Sequence, residues 1–306
     1  MRFSIVRSTV GGLVLASAVA SCSGPSASAG DTVWVVATTT QVGSIAAELG
    51  GDAVDLTVLL EPGIEAHDFE ITPAGGAAIE QAALILKSGA GLETWLDDAI
   101  ATIGRADRVC DLSEGIGLRA PAVDHDEEAD PHYWMSAPNA VLMVENARDA
   151  LVEAAPFAAD DIGERASVLI GRLEAADREI RTLIDEIPAD RRQVVTDHDA
   201  LGYFIDEYGL EFLGSVFPSL DVSADPSARE IEELVTLIRK NDVHAVFSES
   251  AVNPQLAEAV AAETGATLSG DTLYTDSLGA PGSGADTLDG MLLHNAHVIH
   301  DGLVGT

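Results

Sequence analysis

Cysteine is almost missing from this chain, with only two thiols, Cys22 and Cys110, among 306 residues. A zinc site built from several thiolates is therefore excluded. Basic residues are scarce as well: 16 Lys and Arg stand against 51 Asp and Glu, for a formal net charge of −35. A polyanion of that size is repelled by nucleic acid and by anionic membrane surfaces, so neither is an expected partner. Aromatic residues make up 5% of the chain. No apolar run reaches the roughly 20 residues that a membrane-spanning helix needs. What remains is 47% hydrophobic and rich in Ala, Val and Leu, the composition of a folded chain. Its length leaves room for two well-buried cores.

The first segment is the most readable. Arg2 and Arg7 precede an apolar stretch from Ser8 to Ala20, which ends in Val19-Ala20-Ser21-Cys22 and a Ser/Gly/Pro-rich run from Ser23 to Gly30. The stretch is too short to span a bilayer and fits a secretory signal. Small residues before a cysteine, followed by a flexible polar tether, resemble a bacterial lipoprotein signal; the alternative is an ordinary cleaved signal with an incidental cysteine. The expectation is a signal peptide at 1–21, a lipidated Cys22 with its tether at 22–31, and an extracytoplasmic protein anchored to the cell membrane by lipid. Cys110 then has no disulfide partner and reads as a buried small apolar residue in a strand.

From Thr32 onward, short β-branched runs alternate with helical patterns. Strands are predicted at 32–39, 54–60 and 83–87, and helices at 42–49, 73–82 and 92–103. Near-continuous apolar strands separated by helices indicate a parallel sheet covered on both faces. The alternation stops after Pro138. A helix over 140–154 precedes a run over 158–187 in which Ile162, Ala166, Leu169, Leu173, Ala176, Ile180, Leu183 and Ile184 keep three- and four-residue spacing, until Pro188 ends it. It reads as a strut between two α/β lobes, 32–157 and 189–306, with 158–188 as the linking helix; a long surface helix of a single domain is the plainer alternative. In the second lobe, strands are predicted at 193–196, 210–213, 243–248 and 266–269, and helices at 200–208, 227–240, 254–263 and 285–300. No repeat of fixed period is visible.

Ligands of open parallel α/β sheets bind in loops beyond the carboxyl ends of strands. His67 follows the second strand, His198 follows the 193–196 strand, and Asp276 follows the 266–269 strand; His132 opens a helix-bound segment. Imidazole nitrogen and carboxylate oxygen are natural ligands of divalent transition metals where thiolate is unavailable, and three His with one Asp would fill a tetrahedral shell. Taken singly, each histidine reads as an ordinary hydrogen-bonded or surface residue.

The local blocks are more specific. EPGIEAHDFEITPA, AALILKSGAGLETWLDDAI, DPHYWMSAPNAVLMVENARDAL, VVTDHDALGYFIDEYGL and LGSVFPSLDVSADPSAREIEELVTLIRKNDVHAVFSE occur in that order, ahead of the Asp276 loop. Together they resemble the zinc/manganese class (cluster A-I) of ABC-transporter substrate-binding lipoproteins over essentially the whole mature chain. The resemblance implies two parallel-sheet lobes joined by one long rigid helix, a metal site in the cleft between them, and delivery of the metal to an ABC permease by a monomer without catalysis. It assigns His67, His132, His198 and Asp276 as the ligands. Histidine at position 198 leans toward Zn2+, and a short acidic run, 124–130, in place of a long histidine-rich loop keeps Mn2+ open. Glu249, at the end of the 243–248 strand, is expected to hold a histidine N–H.

Other signals carry less. His294, His297 and His300 read as one face of the last helix, with a secondary metal site as the alternative, and His244 as a core or edge histidine in a strand. No Walker A, H-E-x-x-H or dinucleotide fingerprint occurs. Two rival functions stand beside metal import: a surface adhesin stabilised by metal, and a secreted zinc hydrolase using Glu249 as base.

Overall fold

The computed structural model describes residues 32–67, 69–120, 129–218 and 225–305. The expected signal peptide, Cys22, its tether and most of the 124–130 acidic run lie outside the described residues.

The first half is built on β1 (Val33–Ala37), β2 (Val54–Val58), β3 (Leu84–Lys87) and β4 (Val109–Asp111), all parallel in the order β2-β1-β3-β4. The helices that intervene are α1 (Thr40–Gly50), α2 (Pro73–Gln81) and α3 (Thr94–Ile103). The reason for the continuous apolar strands is visible in β1. Val35 and Ala37 point into a core with Ile45 and Leu49 of α1, while Val36 points to the opposite face, against Ile79 of α2 and Leu96 of α3. Cys110 sits in β4 as expected but is half-buried, not fully buried, with Asp111, Glu114, Asp149 and Glu153 around it.

Then come α4 (Ala137–Ala154), whose N-terminus is capped by Ser136, and α5 (Ala159–Glu186). The helix α5 has 28 residues, about 42 Å at 1.5 Å per residue. Its buried residues are Ile162, Ala166, Leu169, Leu173, Ala176, Ile180 and Ile184, the stripe predicted from spacing except for Leu183, which is only partly buried. Ile187 leaves the helix in an extended conformation, as a residue before proline favours.

The second half contains β5 (Gln193–Thr196), α6 (Gly202–Tyr208), β6 (Glu211–Ser215), α7 (Ala228–Asn241), β7 (Ala245–Val246), α8 (Gln255–Thr264), β8 (Thr267–Leu268) and α9 (Leu288–Val304). The β5–β6 and β7–β8 pairs are parallel two-stranded sheets, and Phe247 N, just beyond β7, donates to Val195 O of β5 at 2.9 Å and sets the two pairs side by side. The order β6-β5-β7-β8 therefore repeats that of the first half. The strand predicted at 243–248 is shorter because Asp242 ends α7 in a left-handed conformation and the Val243 N–H bonds back to Ile238 O. His244 is consequently exposed, and not a core residue. The last helix starts three residues later than 285, where Thr287 accepts from Gly290 N, and runs on to Val304.

The buried stripe of α5 packs against α1 and α4 of the first half and α9 of the second. Arg172, near its middle, reaches both ways: its guanidinium binds Glu48 of α1 at 2.5 and 2.7 Å and Asp289 of α9 at 2.9 and 3.2 Å. The long helix is thus the shared back wall of the two halves, and the loops at the carboxyl ends of their strands carry the residues described next.

Candidate metal centre

His132 lies in the loop between β4 and α4, and it is fully buried. Its Nε2 is 3.3 Å from Nε2 of His67, in the loop after β2, and 3.1 Å from Oδ1 of Asp276, in the loop after β8. The other carboxylate oxygen of Asp276, Oδ2, is 3.2 Å from Nε2 of His198, in the loop after β5. Asp276 therefore bridges two neighbouring groups, with Oδ1 beside the His67–His132 pair and Oδ2 beside His198. Ligand atoms of His67, His132 and Asp276 fall within 4.8 Å of one another, as do those of His198, Glu249 and Asp276.

Two of the three imidazoles have a carboxylate behind them. Asp130 Oδ1 is 2.8 Å from His132 Nδ1 and accepts the His132 backbone N–H at 2.9 Å, while its Oδ2 takes a 2.9 Å hydrogen bond from Arg119. Glu249 Oε1 accepts the backbone N–H of His198 at 3.0 Å, and its Oε2 lies 2.7 Å from His198 Nδ1, too oblique for a straight hydrogen bond. A ring whose Nδ1 faces a carboxylate keeps its proton there and turns Nε2 toward a metal. On the first-half side, Trp95 Nε1 donates to Ala66 O at 3.1 Å and steadies the loop that carries His67.

The electrostatics follow from burial and pairing. Burial opposes the charge of His132, but its contacts with Asp130 and Asp276 outweigh that and lift its pKa to about 9. Burial likewise opposes the charge of His198, and the carboxylates of Glu249 and Asp276 raise it well above the usual imidazole value. Asp276, though buried, is held well below the carboxylate range by the same two rings. Asp197, whose Oδ2 accepts the Glu249 backbone N–H at 2.8 Å, is pushed up to about 7 by burial and by the charge of Glu249. Nε2 of His198 and Oδ2 of Asp276 are buried without a hydrogen-bond partner. Nitrogen and carboxylate oxygen left facing each other in this way suit a divalent cation that both can ligate.

Sequence reasoning missed Asp130 and Arg119. The carboxylate two residues before His132 was a usable signal; Arg119 had none. The helical histidines stay apart from the centre. His294 Nε2 meets Thr272 O at 2.9 Å, and among the described residues no group able to hold a metal includes His294, His297 or His300.

A family described as zinc-uptake complex component A, periplasmic, matches residues 35–302. The chain is 32% identical to the manganese-binding lipoprotein MntA of Bacillus subtilis, over 89% of this chain and 90% of that one. It is also 32% identical to the iron-binding protein YfeA of Yersinia pestis, over 80% and 78%. The solved periplasmic zinc-binding protein TroA of Treponema pallidum superposes with a TM-score of 0.83 at 26% identity, covering 89% of this chain and 99% of that one.

Proposed function

This chain belongs to the family of zinc-uptake complex component A, the substrate-binding proteins of metal-importing ABC transporters, and on that premise we propose that it captures one Zn2+ through His67, His132, His198 and Asp276. Capture is followed by delivery to a membrane permease, with residues 32–157 and 189–306 acting as two lobes around the ion. The protein works as a monomer, held outside the cytoplasm by a lipid on Cys22. Among the described residues, no helix is long and apolar enough to cross a membrane.

The observation that carries this reading is the buried, partnerless pair formed by His198 Nε2 and Asp276 Oδ2, 3.2 Å apart and beside the His67–His132 pair. Three imidazoles and one carboxylate favour zinc over manganese, which prefers more oxygen ligands, so Mn2+ is the second choice. A closed shell of four protein ligands leaves no position for a reactive water. Glu249 accepts from His198 N and from Thr275 Oγ1, at 3.0 and 2.6 Å, which ties it to holding the site together and not to acting as a free base. Elemental analysis of the purified mature protein, followed by competitive titration with Zn2+ and Mn2+, tests the proposal. One zinc per chain that manganese fails to displace is the expected result; no stoichiometric metal would overturn it.

A further inference from the structure

Asp276 comes from the second half of the chain, yet the residue before it is bonded to both halves. The Thr275 carbonyl accepts two hydrogen bonds from the first half, from Gln41 Nε2 at 3.1 Å and from Trp134 Nε1 at 3.0 Å. Gln41 stands in the first turn of α1, and Trp134 lies two residues beyond His132. The Thr275 hydroxyl turns the other way and donates to Glu249 Oε2 at 2.6 Å, the oxygen that lies 2.7 Å from His198 Nδ1. All of these groups are buried, with Gln41 at 0% exposure and Thr275, Trp134 and Glu249 at 1%. Water therefore does not compete for any of the bonds.

A hydroxyl has one proton to give, and here it goes to a carboxylate, the stronger kind of hydrogen bond. Glu249 Oε1 is already fixed by the His198 backbone N–H. With Oε2 fixed as well, the carboxylate cannot turn about its last bond, and one oxygen stays opposite Nδ1 of the ring. Without the hydroxyl that restraint is gone.

We propose that Thr275 is a positioning residue for metal capture. Through Glu249, whose other oxygen accepts the His198 backbone N–H, its hydroxyl sets the position of His198. Its carbonyl, held by Gln41 and Trp134, sets Asp276 against His132. One residue thereby brings the ligands of the two halves into register. This rests on the metal-binding reading above and goes beyond it, because Thr275 itself does not touch the ion.

The test uses Thr275→Val, which keeps the shape and removes the donor, beside Thr275→Ser, which keeps the donor and removes a methyl. Zinc affinity is measured by competition with a chromophoric chelator, and Co2+ serves as the spectroscopic probe of ligand geometry. Losing an outer partner of a ligating histidine typically weakens metal binding about 10- to 100-fold. That loss is expected for Thr275→Val together with a shifted Co2+ d–d band, while Thr275→Ser keeps the wild-type values. Gln41→Met, which removes one donor to the carbonyl, probes the other arm and is also expected to weaken zinc binding should the valine variant fail to fold. Wild-type affinity and spectrum in Thr275→Val, or equal damage in the serine variant, would overturn the proposal. Wild-type protein that binds neither zinc nor cobalt would instead sink the metal-binding reading, and the role of Thr275 with it.

Discussion

Loading the centre with a divalent ion near neutral pH should release close to two protons. The rings of His132 and His198 are paired directly with three carboxylates, Asp130, Asp276 and Glu249. Protonated rings offset these buried negative charges, which favours keeping the protons while no metal is bound. Metal needs both rings neutral, so a dication replaces two protons and the local charge is unchanged. The sign follows from the raised values, about 9 for His132 and well above the ordinary value for His198. Protons stay bound in the metal-free protein throughout the neutral range, and zinc must displace them. Each displaced proton contributes a factor of ten per pH unit, so affinity should climb about 100-fold per unit up to the pKa of His132. In the metal-free fold, the raised values contribute stability that is fully present below the unfolded imidazole pKa of about 6.5. That stability is lost as pH rises through about 9. Calorimetric titration at pH near 7 in buffers of different protonation enthalpy reads the proton count as a slope. A slope near zero would refute the argument, because it would mean that both rings are already neutral before the metal arrives.

Three further outcomes are expected. His67→Ala and His198→Ala should each cost more affinity than the roughly 10- to 100-fold typical of an outer partner and leave the circular dichroism spectrum unchanged, because both lie in loops beyond strand ends; wild-type zinc affinity in either would remove it from the ligand set. Cys22→Ser should shift the protein from the membrane to the soluble fraction with zinc affinity intact, as fractionation and titration will read. Zinc at about a thousandfold over its Kd should add about 4 kcal/mol and raise Tm by roughly 8–16 °C, while small-angle scattering shows little change in radius of gyration. A large contraction on loading would mean that the long helix does not limit closure.

Legibility from sequence divided along a physical line. The stripe on α5 was readable because its spacing is a local property, fixed by the helical period alone. The four candidate ligands were readable as candidates because each sits in a recognisable block, three of them in loops after a strand and His132 ahead of α4. Thr275 was not, since its partners Gln41 and Trp134 lie 234 and 141 residues away and nothing in a threonine announces them. The repeated strand order was hidden for a similar reason: it resides in backbone pairing, which two unrelated stretches of Val and Ile satisfy equally well. The shortened β7 turned on one N–H, that of Val243, spent on the end of α7 and so lost to the ladder.

The back wall made by α5 bears on what happens once the cargo has gone. One continuous core extends from Val35 in β1, through Leu173 and Ile180 of α5, to Ile299 and Leu303 in α9. Neither half encloses its apolar surface without that helix, so a fragment ending before α5 or beginning after it would present an open hydrophobic face to water. The two halves of the intact chain should therefore lose their structure together on heating, since they share that core. The four candidate ligands come from loops at the edge of that core, where His132 packs edge-on against Trp134. A carrier built this way can surrender its ion at the membrane and remain folded, ready for another round, where a protein organised around its metal would come apart on each delivery.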